Sequence, residues 1–200
     1  MMKNDRKIIF NQLSNIYINY KKYDILMSVN YPSFKPIPKY RFNIYNYEEK
    51  FYEMYDKGHY SIVLYDYSMI VFDYRFDEND YIISHSLSFI PNIIKENDLI
   101  EENEIEKEKV NMLSKYLRVD FTEEGFSEYH HSKVHFHLGI FNNDLRITSQ
   151  CILYPNEFLY IILKYYYKDD SDFTNNLLII SNKACHLTEN EQTKLRILFG

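Results

Sequence analysis

The run His130-His131-Ser132-Lys133-Val134-His135-Phe136-His137-Leu138-Gly139 carries four of the seven histidines in this 200-residue chain. His135 and His137 alternate with Val134, Phe136 and Leu138. On a β-strand successive side chains point to opposite faces, so the alternation predicts both imidazoles on one face and the three apolar residues on the other. His130 and His131 stand on the approach. Two imidazoles aimed from one rigid face can ligate a metal, move a proton or grip an anion.

Each use makes its own demands. A metal needs three or four ligands converging on a point. His135 and His137 supply two, His130 or His131 a third if the loop folds back, and Asp120 on the neighbouring strand a carboxylate. Such a site with an open position can activate water for phosphoester hydrolysis, and its cofactor would be a divalent transition metal. No H-E-x-x-H spacing accompanies the cluster. A metal-free site would use His135 and His137 as acid and base, with Arg118 or Arg146 holding a phosphate. Histidine-triad phosphoryl transferases carry a further alternating histidine where this chain has Gly139, so that match fails. In a purely structural role the histidines would bond Asp120, tyrosines and backbone, and tie the sheet to a helix at 156–167.

Positioning these residues requires a sheet. Residues 4–27 show apolar residues at helical spacing (Ile8, Ile9, Leu13, Ile16, Tyr17, Tyr20) and predict a first helix. Pro32, Pro36 and Pro38 force an extended stretch over 31–42. A short helix over 48–57 ends at Gly58. Runs at 61–65, 69–76 and 81–89 are rich in β-formers and broken by polar turns, the pattern of an antiparallel meander. His85 alternates with serines there and reads as a half-exposed strand residue. Residues 95–117 mix both signs of charge with a thin apolar stripe, a surface helix or an acidic contact arm. Short strands follow at 118–121, 134–141 and 145–150. Pro155 opens a strongly apolar helix through 167, and Thr188-Glu189-Asn190-Glu191 is a capping box for a last helix.

Composition narrows the class. Hydrophobic residues make up 46% of the chain, enough for a core, with 21 Tyr, 14 Phe and no Trp. The net charge of −6 argues against a bulk nucleic-acid binder, which needs a basic face. A local patch remains: Lys35, Lys39 and Arg41 lie among Tyr31, Phe34, Tyr40 and Phe42, a pattern that can track single-stranded nucleic acid. A proline-stiffened connector is the plainer reading. Cys151 and Cys185 lie in no metal or redox spacing. The first residues are charged and lack an apolar run, and no stretch approaches a membrane span. A cytoplasmic location and no membrane partner are expected.

From Arg118 to Tyr167 the order of features is specific: Arg118-x-Asp120-Phe121, His130-His131, His135-x-His137-Leu138-Gly139, Arg146-Ile147, then Pro155-x-x-Phe158 opening an apolar helix that ends in aromatics. This resembles the bacterial family of uncharacterised proteins called domain of unknown function 2290 (DUF2290). Ser132 stands where that family tends to have proline, and Tyr154 where it tends to have a capping Thr or Ser. The resemblance brings no activity. It links the chain to mobile-element and phage-defence genes.

Together these readings predict a single α+β domain over 1–200. It has an antiparallel sheet of five or six strands, flanked by an N-terminal helix, a central 156–167 helix and a C-terminal helix. Residues 1–58 form a mainly helical N-terminal part and 95–117 a charged surface helix. The expected function is an accessory or partner-binding component of a defence or mobile-element system. Its partner would be another protein, with nucleic acid bound only through the local patch. The alternative is a small histidine-dependent hydrolase, with or without metal, acting on nucleic acid or a phosphoester.

Overall fold

Seven runs of β-forming residues pair in chain order. They are β1 (Leu26–Val29), β2 (Ile62–Leu64), β3 (Met69–Phe76), β4 (Ile82–Ile90), β5 (Leu117–Thr122), β6 (Val134–Leu138) and β7 (Arg146–Thr148). The computed structural model describes residues 5–93, 110–122, 124–127, 132–140, 146–149, 151–177 and 188–189. Within it the strands form one sheet in the order β1 to β7, each antiparallel to the next. The turns are set by side chains that mimic backbone. Asp77 accepts from the N–H groups of Asn79 and Tyr81 between β3 and β4, and Asp80 takes the left-handed conformation that closes the turn.

One face of the sheet carries the main core. Helix α1 (Asp5–Asn19) lies against it with Ile9, Leu13 and Ile16 buried. Helix α3 (Pro155–Ile161) lies there too, and runs on as a π-helical turn through Tyr166. Phe158, Leu159, Ile162 and Leu163 are all fully buried, whereas Tyr165 faces solvent. The two helices are joined by polar bonds: the Tyr154 hydroxyl donates to Asp5 at 2.7 Å, and the Asn156 N–H donates to Gln12 Oε1 at 3.1 Å. At the start of α3 the Tyr154 N–H donates to the Glu157 carboxylate, so this cap works without a Ser or Thr.

The opposite face is covered only in part. Helix α2 (Tyr47–Asp56) and Phe42 pack on Val63, Met69, Val71, Ile90 and Tyr116 to form a second, smaller core. Tyr47 is buried whole and satisfies its hydroxyl on the Pro91 carbonyl at 2.7 Å. Among the described residues, no helix packs over the remainder of that face.

The α+β class holds, with these differences. The helix expected over 4–27 stops at Asn19, and a single 3-10 turn over Tyr20–Lys22 follows. Leu26–Val29 then pairs with β2, because an extended segment there extends the sheet and buries Leu26 and Val29. That strand brings the count to seven, where five or six were expected. β6 ends at Leu138 rather than at 141, since Gly139 turns with φ +68°. Ser171 caps a further short helix, α4 (Asp172–Asn175). Most of the 95–117 helix lies outside the described residues; 110–114 are helical and Leu117 already belongs to β5. The C-terminal helix lies outside them beyond Glu189. No helix among the described residues is long and apolar enough to cross a membrane.

Candidate functional site

Along the partly covered face, the residues change from apolar to polar. β3 presents Val71, then Asp73, then Arg75; β4 presents Ile90, then Ser88, Ser86 and Ser84; β5 presents Arg118, Asp120 and Thr122. Antiparallel register aligns them in rows. Val71, Ser88, Arg118 and His137 form one, Asp73, Ser86, Asp120 and His135 the next, and Arg75, Ser84 and Thr122 a third. Rows on one face are two residues apart, roughly 7 Å along the strands. The apolar end is sealed by α2. The polar end floors a pocket of about 480 Å³.

Residues 37–42, the end of the proline-rich stretch, line another side, with Met54, Tyr116 and Glu124 adding to the wall. This strap is held in three ways. The Tyr40 hydroxyl bonds His59 Nδ1 at 2.7 Å. Phe42 is buried against Tyr47 and Tyr116, with ring centroids at 5.0 and 5.9 Å. The Asn46 amide donates to the Arg41 carbonyl at 3.2 Å. Lys39 and Arg41 are exposed at the pocket's edge.

His135 and His137 share one face as their alternation predicts, with ring centroids 4.8 Å apart. Both are buried, at 2% and 5% exposure, while Phe136 packs toward the main core. His135 Nδ1 lies 2.9 Å from the Ser132 carbonyl. A carbonyl only accepts, so Nδ1 carries the proton and the ring's lone pair lies on Nε2.

Asp120 is the hub. Its Oδ1 accepts from Ser86 Oγ at 2.8 Å, and its Oδ2 accepts from Arg118 Nε at 2.9 Å. His137 Nε2 lies 3.3 Å from the same Oδ2 but without the alignment of a hydrogen bond, and it has no other hydrogen-bond partner among the described residues. Burial pushes the Asp120 carboxyl up. The neighbouring His137, the Arg118 charge and the Ser86 hydroxyl outweigh that and hold it well below the usual carboxylate range. Asp73, in the same row, goes the other way: burial raises its carboxyl, and Arg75 and Lys39 draw it only partly back.

Asp120, His135 and His137 each present a ligand atom, all within 4.8 Å of one another. Donors around one ion at ~2.0–2.2 Å stand roughly 3–3.5 Å apart, so small side-chain shifts would close the set. Two histidines and a carboxylate suit a divalent transition metal with open positions. A buried imidazole nitrogen lacking a hydrogen bond is costly unless it has a further task.

Of the expected site residues, the structure thus gathers Asp120, His135, His137 and Arg118. Arg146 pairs with His137 in the β6–β7 register. His130 and His131 lie outside the described residues. His85 differs from expectation: it is 3% exposed and points into the main core between Tyr74 and Phe121, its partners in register. The expectation missed Asp73, Ser86 and the 39–42 strap as pocket residues. Polar residues at alternate positions of β3 and β4 were the available signal.

No curated protein and no solved structure matches the chain. The family model for an uncharacterized conserved protein, DUF2290, matches residues 11–199, nearly four times the length over which the motifs themselves are recognisable. The chain belongs to the DUF2290 family.

Proposed function

We propose that this protein is a small metal-dependent hydrolase of phosphoesters, nucleic acid included. The observation that carries the reading is the convergence of Asp120, His135 and His137 in one pocket. His135 Nε2, His137 Nε2 and an Asp120 oxygen hold the ion. Arg118, which donates from Nε to Asp120 Oδ2, would have its remaining guanidinium N–H groups for the substrate phosphate. Arg146, opposite His137 in register, is the further candidate for that phosphate. The bound metal would activate the water: its oxygen would bond phosphorus as the ester P–O bond breaks, and the proton it gives up would pass to the departing oxygen. His130 or His131 is a further candidate ligand.

The test is metal content and turnover on the same preparations. Purified protein loaded with manganese or zinc and then desalted retains about one ion per chain, and cleaves a chromogenic phosphodiester. His135→Ala and His137→Ala lose the ion and the activity while remaining folded. If instead both variants lose stability and activity in equal measure, the histidines are structural and the proposal fails.

A second reading has its own support. Tyr17, Ile18 and Tyr31 are exposed beside one another, with the Tyr17 and Tyr31 rings 5.5 Å apart edge to face. Such a patch suits an accessory, partner-binding component of a cytoplasmic bacterial defence or mobile-element system. Cells expressing the protein with its neighbouring genes should then resist phage, and Tyr17→Ser with Tyr31→Ser should remove that resistance without lowering the protein's level. Unchanged resistance in the double variant rules this reading out.

A further inference from the structure

The pocket wall opposes the acidic character of the chain. Its charged lining comprises Lys39, Arg41, Arg75 and Arg118 against Asp73, Asp120 and Glu124, in a protein of net charge −6. Arg118 is paired with Asp120. Lys39, Arg41 and Arg75 make no ion pair or side-chain hydrogen bond among the described residues, and all three are exposed at the pocket. Arg75 and Lys39 line the same pocket as Asp73, and both charges act on its carboxyl, although 36 positions separate the strap residue from the one on β3.

The placement of this group matters more than its charge. Arg75 lies one row beyond Asp120 and two strands away from it. That is roughly 7 Å along the strands and ~10 Å across them. One phosphate group cannot touch both the Asp120–His135–His137 cluster and the Lys39–Arg41–Arg75 group. Two phosphates joined by a sugar can. Between the two groups the floor is Ser84 and Ser86, hydroxyls that can donate to or accept from a sugar.

We infer that Lys39, Arg41 and Arg75 form a second phosphate site, which holds the phosphate adjacent to the scissile one and makes the substrate a single-stranded nucleic acid. A base-paired duplex does not fit into a pocket of about 480 Å³ whose histidines are almost wholly buried. The inference rests on the hydrolase reading for the word scissile, but the second site binds by charge whether or not the first one cuts.

Binding and cleavage are therefore measured apart. Fluorescence anisotropy with a labelled short single-stranded oligonucleotide, in EDTA, reads binding alone. The expected result is that Lys39→Ala, Arg41→Ala and Arg75→Ala each weaken binding. Each should also lower the slope of log affinity against log salt by about 0.7, the value for one lost phosphate contact on a single strand. Lys21→Ala, at an exposed lysine of the 3-10 turn outside the pocket, should bind like wild type. Unchanged salt slopes in folded variants, with melting checked for each, overturn the inference. Equal competition by duplex, by inorganic phosphate or by polyglutamate also overturns it, because each shows a site that does not read adjacent phosphates on one strand. If binding fails while the chromogenic phosphodiester is still cleaved, the second site is wrong and the hydrolase stands. If binding holds and no cleavage occurs with any metal, the reverse is true.

Discussion

Asp120 and His137 meet on a diagonal of the sheet. In register Asp120 faces His135 and His137 faces Arg118, yet Asp120 Oδ2 lies 3.3 Å from His137 Nε2 and 2.9 Å from Arg118 Nε. Diagonal neighbours on one face of an antiparallel pair are within reach of long side chains, and here the pleat brings four polar residues into one block. The carboxylate is thus shared between a cation that can leave and an imidazole with no other hydrogen-bond partner among the described residues.

Replacing the hub exposes its contribution through pH. The folded Asp120 carboxyl is depressed, so its stabilisation is present above the unfolded value near ~3.9 and is lost as pH falls through the acid range. Asp120→Asn should cost about 1–3 kcal/mol at neutral pH. Urea melts of both proteins should converge as pH drops below ~4. Parallel curves down to the most acid pH would show that the carboxylate is not held ionised by its neighbours.

Asp73 should behave in the opposite sense. Its folded carboxyl is raised, chiefly by burial, so the folded state binds this proton more tightly and ionisation works against folding as pH rises past ~3.9. Asp73→Asn should therefore melt higher than wild type at neutral pH and match it in acid. A lower melting temperature at neutral pH would mean that Lys39 and Arg75 hold the carboxylate more strongly than burial opposes it.

The central helix carries the main core. Phe158 packs edge-on against Phe72, with ring centroids at 6.1 Å, and Ile162 is fully buried. Phe158→Ala and Ile162→Ala should each cost on the order of 2–5 kcal/mol in chemical denaturation. A loss under ~0.5 kcal/mol, typical of surface changes, would place this helix outside the core.

Gly139 ends the histidine strand. Its N–H donates to the Tyr116 carbonyl at 2.7 Å, and its φ is +68°. An added Cβ would meet the Ser114 carbonyl at 3.5 Å, ordinary contact, so the cost lies in the backbone conformation rather than in a clash. Gly139→Ala should lose about 1–2 kcal/mol of stability and keep its metal content, as read by melting and elemental analysis. Loss of metal in a folded variant would show that the turn also sets the imidazoles.

The sequence by itself determined which residues form the histidine strand and which face they share. The period of two in Val134–Leu138 leaves no other way to bury Val134 and Phe136 while keeping the imidazoles together. Local patterning likewise announced the α+β class, six of the strands and the proline-started helix. Its reach ended where two patterns compete: Leu26–Val29 carries residues acceptable to a helix, and only pairing with β2 makes the strand the better choice. His85 shows the same limit in a single residue. Its alternation with serines named a strand, but which face was buried depended on Tyr74 and Phe121 across the ladder.

The pocket belongs to the tertiary structure alone. Asp73, Asp120 and Lys39 are far apart in the chain and become neighbours through register and through the packing of Phe42 beneath α2. Nothing local distinguishes a proline-stiffened connector from a pocket wall, because a strap takes its chemistry from what it covers. Alternation assigns a side chain to a face. Which residues meet on that face is decided by strand order, and whether they become a site is decided by what leaves them uncovered.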